Sequence, residues 1–382
     1  MGCMANTVIQ SITAHEVIVP GKPGCVDSPS MGRFADAWDE LPIVLLEFHL
    51  SDGITALGEV GRGNTINSIT PWLQQLIGLE LRSLDLGVLP GSFRKGYQFG
   101  LLTSHPPALY DTHSPVTYAF ETMLYDWVGK RMNCRMVDLL GGAVRERVPV
   151  DAWCGRQTPQ DIVGVVERAK AHGFKGIKMK SKIGDPTLAQ VKAIKDTGGE
   201  DFGITIDPMW QWLSPHDALH MLKQLEPHAK NLRIEDPFPW EQPDMWQRVR
   251  QVVAVPLVLH ARGMAVLRHG LQHGYADNFN CSGYIAEFMA QAHAVEVAGY
   301  SCWHGSSLEL GVGQASILHR AAAARSCTMP SDLQSAFIRE HTLVTWEWPY
   351  QNGSLPIPAG PGLGVVLDRE ALQRYRHAEQ VF

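Results

Sequence analysis

Little in this chain points to export, a membrane or a nucleic acid. No apolar run approaches the roughly 18 residues that cross a bilayer, and the start, Met1-Gly-Cys-Met-Ala-Asn6, lacks the basic stretch and apolar core of a secretory signal. Asn6 stands where a myristoylation signal carries Ser or Thr. Lys and Arg are scattered, 33 against 39 Asp and Glu, and the net charge of −6 argues against a nucleic-acid surface. The cysteines (Cys3, Cys25, Cys134, Cys154, Cys281, Cys302, Cys327) form no CxxC pair, are odd in number and sit mostly in apolar runs. They read as reduced thiols of a cytoplasmic protein. No short-period repeat or low-complexity tract stands out. What is present is a globular chain: 382 residues, 45% hydrophobic, are ample for a sizeable core and imply two domains or one large domain with a smaller partner.

The most informative stretch is Gly176-Ile177-Lys178-Met179-Lys180. Alternate side chains of a strand share a face, so Lys178 and Lys180 project together. Two ammonium groups held side by side should depress each other's pKa, and a lysine so depressed serves as a base near neutral pH. A solvated edge strand carries the same Lys-x-Lys pattern. Downstream, the run 202–207 ends in Asp207 and the run 232–235 in Glu235, followed by Asp236-Pro237. The intervals are close to one β/α unit, about 30 residues, which puts these side chains on one rim. A carboxylate ending a buried strand needs a partner or a cation, and oxygen ligands from successive strands suit Mg²⁺. Either acid alone is equally an N-cap of the next helix.

Elsewhere the N-terminal region reads as strands near 12–19, 42–50 and 55–60, with a hairpin turn at Ser51-Asp52-Gly53. The Gly/Pro/Ser-rich span Gly21 to Asp39, with Cys25, Met31, Arg33 and Phe34, is a long loop of functional or disordered type. Helical periodicity follows at 72–79 and 115–132, and between them 90–111 carries Arg94, Lys95, Tyr97 and His105-Pro-Pro107. From Arg147 short β runs alternate with helices near 158–172, 186–197, 215–225 and 243–252, the signature of a β/α barrel. Strands at Leu257 to His260, Asn278 to Ser282 and Tyr300 to His304 continue it, and the tail from Trp346 has strand and turn texture.

On these residues the chain resembles the enolase superfamily, and within it the mandelate racemase-like and acid-sugar dehydratase groups. The resemblance runs nearly end to end, through Gly173-Phe174 before Lys178-Met-Lys180, Ile206-Asp207, Ile234-Glu235-Asp236-Pro237, His304-Gly-Ser-Ser-Leu-Glu309-Leu-Gly311, Leu318-His319-Arg320-Ala321 and Pro358-Ala-Gly-Pro-Gly-Leu-Gly364. It implies a TIM-type (β/α) barrel at 146–345, an α+β capping domain at 1–145 with lid loops that choose the substrate, and a C-terminal return, 346–382, to the capping domain. It also implies a homo-oligomer and a Lys base working beside Mg²⁺ on an enediolate, a mechanism for which this superfamily is a standing example.

Two positions depart from the family's pattern. After Pro256 the family usually supplies Glu or Asp, but here the strand reads Leu257-Val-Leu-His260-Ala261-Arg262. His260 is the candidate third ligand, a neutral one that admits Mn²⁺ or another divalent ion beside Mg²⁺. It is also readable as a rim histidine. Arg262 could bind the substrate carboxylate or stand where a metal would. On the sixth strand Asn278-Phe-Asn-Cys-Ser282 offers no aspartate to orient His304, leaving Asn280 or Ser282 for that task. Glu309 could hydrogen-bond an enediolate oxygen or cap the helix it opens.

The expected function is that of a metal-dependent acid-sugar dehydratase. Lys180 takes the proton α to a sugar-acid carboxylate, Lys178 neutralises the developing charge, and Asp207, Glu235 and His260 hold the metal. His304 protonates the departing β-hydroxyl, giving a 2-keto-3-deoxy acid. The alternatives are a racemase or epimerase of a 2-hydroxy acid and an altered barrel that binds an acidic ligand without turnover.

Overall fold

The computed structural model describes residues 7–25, 27–33, 38–81, 115–212 and 214–382. Phe34, Cys3 and the stretch with Arg94, Lys95, Tyr97 and His105 lie outside them.

Two apolar cores organise the chain. The smaller lies under an antiparallel sheet in which β1 (Thr7–Val17), β2 (Ile43–Leu50) and β3 (Thr55–Val60) follow in order. Alternation drives this: Ile12 and Ala14 are fully buried with Thr13 turned outward between them, and a register shift between Ile9 and Ser11 keeps Ile9 buried as well. The helix α1 (Ile66–Leu76) begins six residues before the periodicity suggests, because Thr65 and Ser68 form a capping box that outweighs Pro71 inside the helix. The short β4 (Glu80–Leu81) pairs with the start of β1. The helix α2 (Thr117–Met132) is buried on nearly every side, and its Asp126 carboxylate accepts hydrogen bonds from Leu57 and Leu363 backbone N–H groups and pairs with Lys130. Gly362, at φ +65°, lies so close to Asp126 that a Cβ would not fit. The short α3 (Met136–Leu139) then leads to the barrel.

After β5 (Arg147–Pro149), seven parallel strands neighbour one another in chain order: β6 (Ala152–Cys154), β7 (Gly176–Lys180), β8 (Gly203–Asp207), β9 (Leu232–Glu235), β10 (Leu257–Ala261), β11 (Asn278–Cys281) and β12 (Cys302–His304). Helices α4 (Asp161–Ala171), α5 (Thr187–Gly198), α6 (Pro215–Leu225), α7 (Pro243–Arg250), α8 (Met264–His273), α9 (Ile285–Val297) and α10 (Gly311–Ala323) alternate with them. The segment 329–332 closes the ring. Met329 N–H donates to Cys302 O, Asp332 N–H to His304 O, and Ser331 N–H to Pro149 O, beside a parallel bridge between Val150 and Ser331. The fold is the capped β/α barrel the sequence implies.

The last elements are α11 (Ser335–Ile338), β13 (Ser354–Pro356), which pairs with β5, then α12 (Arg369–Tyr375) and β14 (Arg376–Val381). β14 pairs antiparallel with β1, so the tail rejoins the N-terminal sheet. The tail reads as strand and turn, since seven residues are too few to show a helical period, yet Asp368 caps α12 by accepting from Ala371 N–H. This helix carries Arg369 onto the buried Glu47 of β2, which also accepts from His15 Nε2 at 2.8 Å.

Burial opposes the charge on Glu47, but Arg369 and then His15 reverse it and hold the carboxyl at about 2, below its ordinary 4.5. A depressed carboxyl stabilises the fold above its unfolded pKa, and that stability disappears as the pH falls from 4.5 towards 2. Arg369→Ala is expected to cost about 1–2 kcal/mol at neutral pH, the value of a half-exposed charge-assisted pair, and to move acid unfolding to higher pH. Circular dichroism against pH measures both, and an unmoved acid limb contradicts the assignment.

Candidate active site

The strand period does to β7 what the sequence led us to expect. Ile177 and Met179 enter the apolar core, and Lys178 and Lys180 share the other face. Their ammonium groups meet on a single oxygen: Lys180 Nζ lies 2.6 Å and Lys178 Nζ 3.3 Å from Asp207 Oδ2. Asp207 ends β8 directly opposite Lys180 in the parallel ladder, and Glu235 ends β9 one strand further on. Lys178 Nζ is also 2.8 Å from Glu235 Oε2 and 3.1 Å from Asp332 Oδ2. Asp332 was not singled out by sequence, although Met329-Pro-Ser-Asp332 stands about one further β/α spacing beyond His304.

These charges set one another. Burial works against a positive Lys178, but Asp332, Glu235 and Asp207 together hold the ammonium well above its ordinary range. The mutual depression expected of the two lysines therefore does not occur at Lys178. Burial works against the Asp207 carboxylate too, and Lys180 and Lys178 hold it below the usual range. Glu235 is pushed up to about 7 by burial and then by Asp207, against Lys178. Its Oε1 accepts from Asn280 Nδ2 at 2.8 Å.

His260, on β10, has both ring nitrogens engaged. Arg262 Nε–H donates to Nδ1 at 3.4 Å, so the ring proton sits on Nε2, which lies 3.0 Å from Ser282 Oγ. Burial, and then Arg262, keep the imidazole neutral, well below its ordinary pKa. The ring approaches Glu235 only to 3.8 Å. Among the described residues no three His, Cys, Asp or Glu side chains are arranged to hold a metal ion. The side chains expected to hold Mg²⁺ or Mn²⁺, Asp207, Glu235 and His260, are here engaged with neighbouring side chains of the chain itself. The two carboxylates do converge, but on an ammonium group, and the imidazole has no free lone pair for an ion. Arg262 does not take the metal's place either. Its guanidinium lies over the Trp210 ring, 4.5 Å from the centroid, with Nη2 3.6 Å from Asp236 Oδ2. Met209 and Trp210, following Asp207-Pro208, are both in the left-handed region, local strain at the rim of the site.

His304 ends β12, buried, with its ring against Phe288 at 4.2 Å between centroids. Its Nδ1 bonds the Gly305 carbonyl, which can only accept, so Nδ1 carries the proton and Nε2 is bare. Nε2 has no partner. Burial, and then Arg320, hold this imidazole neutral as well. Asn280 and Ser282, the sequence's candidates for orienting His304, serve Glu235 and His260 instead. Glu309 accepts from Ser306 Oγ and from Ser307 N–H at 2.9 Å, closing its own turn. The start of α10 is capped from the other domain: Glu59, at the end of β3, accepts from Leu310 and Gly313 N–H at 2.6 and 2.7 Å. A lone acid in a strand gives no sequence signal for that role.

All eight residues expected at the site (Lys178, Lys180, Asp207, Glu235, His260, Arg262, His304 and Glu309) line one cleft of about 660 Å³ at the C-terminal ends of the strands. Trp38, Glu59, Arg62, Asn64 and Tyr118 wall it from the capping side. The described part of the Gly21 to Asp39 loop is pinned to the barrel by Ser28, which donates to Gln157 Oε1 at 2.9 Å. The fold and the cleft thus define a capped β/α barrel in which His304 and Lys180 open onto the same cleft as a cluster of buried charges.

The family model described as "Enolase C-terminal domain-like" matches residues 161–371, and the chain belongs to that family, within the enolase superfamily. Over 286 residues it is 27% identical to a D-galactonate dehydratase of Klebsiella pneumoniae, covering 67% of this chain and 70% of the relative. A chloromuconate cycloisomerase of Pseudomonas putida is 23% identical over 271 residues, 68% and 72% of the two chains. The crystal structure of a dipeptide epimerase from Cytophaga hutchinsonii, complexed with Mg and the dipeptide D-Ala-L-Val, superposes over 98% of this chain and 99% of its own, with a TM-score of 0.77 and 18% identity. That likeness is one of fold.

Asn280 keeps an uncharged donor against a buried carboxylate, so Asn280→Asp sets two carboxylates side by side. The variant is expected to lose about 1–3 kcal/mol at pH 9 and to recover part of it at pH 6, below the raised range of Glu235, where the pair shares a proton. Urea denaturation at both pH values measures this. Equal losses at the two pH values contradict the charge reading.

Proposed function

We propose that this chain removes the proton α to the carboxylate of a small hydroxy acid or sugar acid. The observation that carries the proposal is a complementary pair in one cleft: an unprotonated, unpartnered His304 Nε2, and Lys180, whose ammonium is ion-paired with Asp207. Lys178 stands beside Lys180 as fixed positive charge for a carboxylate that gains electron density.

In this arrangement His304 Nε2 takes the α-proton, and the C–H electron pair moves into the carboxylate to form an enediolate. With a β-hydroxyl present, that pair returns as a carbon–carbon double bond and the β C–O bond breaks. The Lys180 ammonium gives its proton to the departing oxygen, water leaves, and the enol becomes a 2-keto-3-deoxy acid. Proton exchange with solvent resets His304 and Lys180. These roles reverse the sequence-based expectation, in which Lys180 was the base and His304 the acid. The Nδ1 bond to Gly305 O is what turns them. The D-galactonate dehydratase among the relatives supports the elimination.

A second reading has its own observation. Because His304 and Lys180 carry opposite proton states, Lys180 can return a proton to the α carbon in place of the β oxygen, which epimerises or racemises the substrate. The epimerase of the same fold is consistent with this outcome.

Incubation of the protein in D₂O with a panel of sugar acids and 2-hydroxy acids separates the outcomes. Dehydration yields a keto acid, and epimerisation yields deuterium at the α carbon of recovered substrate. His304→Asn and Lys180→Met, checked for folding, are each expected to lower turnover about 10²–10⁴-fold. Undiminished turnover in His304→Asn removes the proposed base. An acid that binds yet gives neither product replaces the enzyme with a binding protein.

A further inference from the structure

We propose that in this chain the Lys178 ammonium takes the place of a divalent ion: the carboxylates of Asp207, Glu235 and Asp332 are balanced by a side chain, and that ammonium receives the charge of the enediolate. The part concerning the enediolate rests on the proton abstraction proposed above. The balance of the cluster does not.

The size of the cluster is the first ground. One oxygen from each of three carboxylates lies 2.8 to 3.3 Å from Lys178 Nζ. Those are hydrogen-bond distances to nitrogen, whereas Mg²⁺ draws its ligands to about 2.0–2.1 Å in a near-octahedron. The second ground is that the candidate ligand groups already have partners within the chain. Asp207 Oδ1 accepts from Met209 N–H at 3.1 Å, and Oδ2 is shared by both lysines. Glu235 Oε1 accepts from Asn280 and Oε2 pairs with Lys178. At His260, Nδ1 accepts from Arg262 and Nε2 faces Ser282. An incoming ion would have to displace the Lys178 ammonium from these carboxylates and free a nitrogen of His260.

The third ground is the arrangement of cations. The Arg262 guanidinium lies against the very imidazole that would be the third ligand, so a second positive centre there is repelled. Asp332 completes the pattern from the opposite side. A third carboxylate reaches the lysine from the segment that closes the barrel, while the fifth strand supplies none. Lys178 is 5% exposed, and an ammonium so buried persists only with this number of anionic partners. The charge is tethered to the backbone of β7, present in every folded molecule and indifferent to the ion supply.

The test needs no substrate. The full-length protein, stripped with chelator and dialysed, is titrated calorimetrically with Mg²⁺ and with Mn²⁺, and its unfolding midpoint is followed at millimolar ion. The expected result is no saturable binding and no rise in midpoint. One equivalent of either ion bound per chain with a raised midpoint overturns the proposal. In Lys178→Met the three carboxylates lose their cation, and this variant is expected to bind one Mn²⁺ per chain, read from the loss of the free-ion electron paramagnetic resonance signal. If Lys178→Met does not fold, the wild-type titration alone decides. A wild type that binds no ion and also exchanges no α-proton leaves this inference standing and removes only the proposed activity.

Discussion

The buried ammonium of Lys178 is the constraint on which the site depends. A charge this deep is tolerable only when the surrounding structure delivers anions to it at hydrogen-bond distance, and three separate β/α units do so. The support continues below the rim. The Trp303 ring lies between two cations, 5.9 Å from Lys178 Nζ and 5.6 Å from the Arg233 guanidinium, and Arg233 pairs with Asp151 at 2.7 Å. Asp151 lies over Gly176, where no Cβ could be accommodated, which gives the glycine opening the lysine strand a physical reason. The barrel interior thus holds a polar column in which Lys178 and Arg233 each face a buried carboxylate. Removing one charged member strands its partner's charge in the interior.

The roof over the column is held by buried polar contacts between the two cores. Glu59 reaches from β3 to the N-terminus of α10, where two backbone donors and the helix dipole receive it. Burial lifts its carboxyl to about 7, and Glu309 nearby adds to the lift. Arg320, on α10, donates back to the Tyr118 hydroxyl of α2 and to Gly283 O. α10 is therefore fixed at both domains, and the cleft between them keeps its width through contacts that side-chain repacking alone would not preserve.

Legibility followed locality. Lys178 and Lys180 could be read because two residues of one strand must share a face, Asp207 and Glu235 because strand ends recur at the β/α interval, and His304 because it closes an apolar run before a Gly-Ser-Ser turn. The barrel as a whole followed from the same alternation. What escaped was set by pairing across the ring: Asp332 matters because Lys178 reaches it, and no local pattern encodes that reach. Asn280 was noticed for His304 and proves to serve Glu235. The proton position on His304 hangs on a bond to the next residue's carbonyl, a matter of backbone path. Helix α12 hid because seven residues are too few to show a period, and α1 began early because a capping box outweighed a proline.

A tethered ammonium and a divalent ion do different chemistry. The ion polarises by charge and by accepting lone pairs, while the ammonium offers a single charge and hydrogen bonds. In a site built on the ammonium, the energy of the enediolate falls more heavily on the other donors facing the cleft. Lys180 is one, 2.6 Å from Asp207, and Arg262, stacked on Trp210, and Arg62 on the capping side are further cations along the cleft. The neutral histidine on the fifth strand and the arginine two residues beyond it are then one change. The carboxylate that would have demanded an ion is absent, and a cation fixed to the chain stands next to its place.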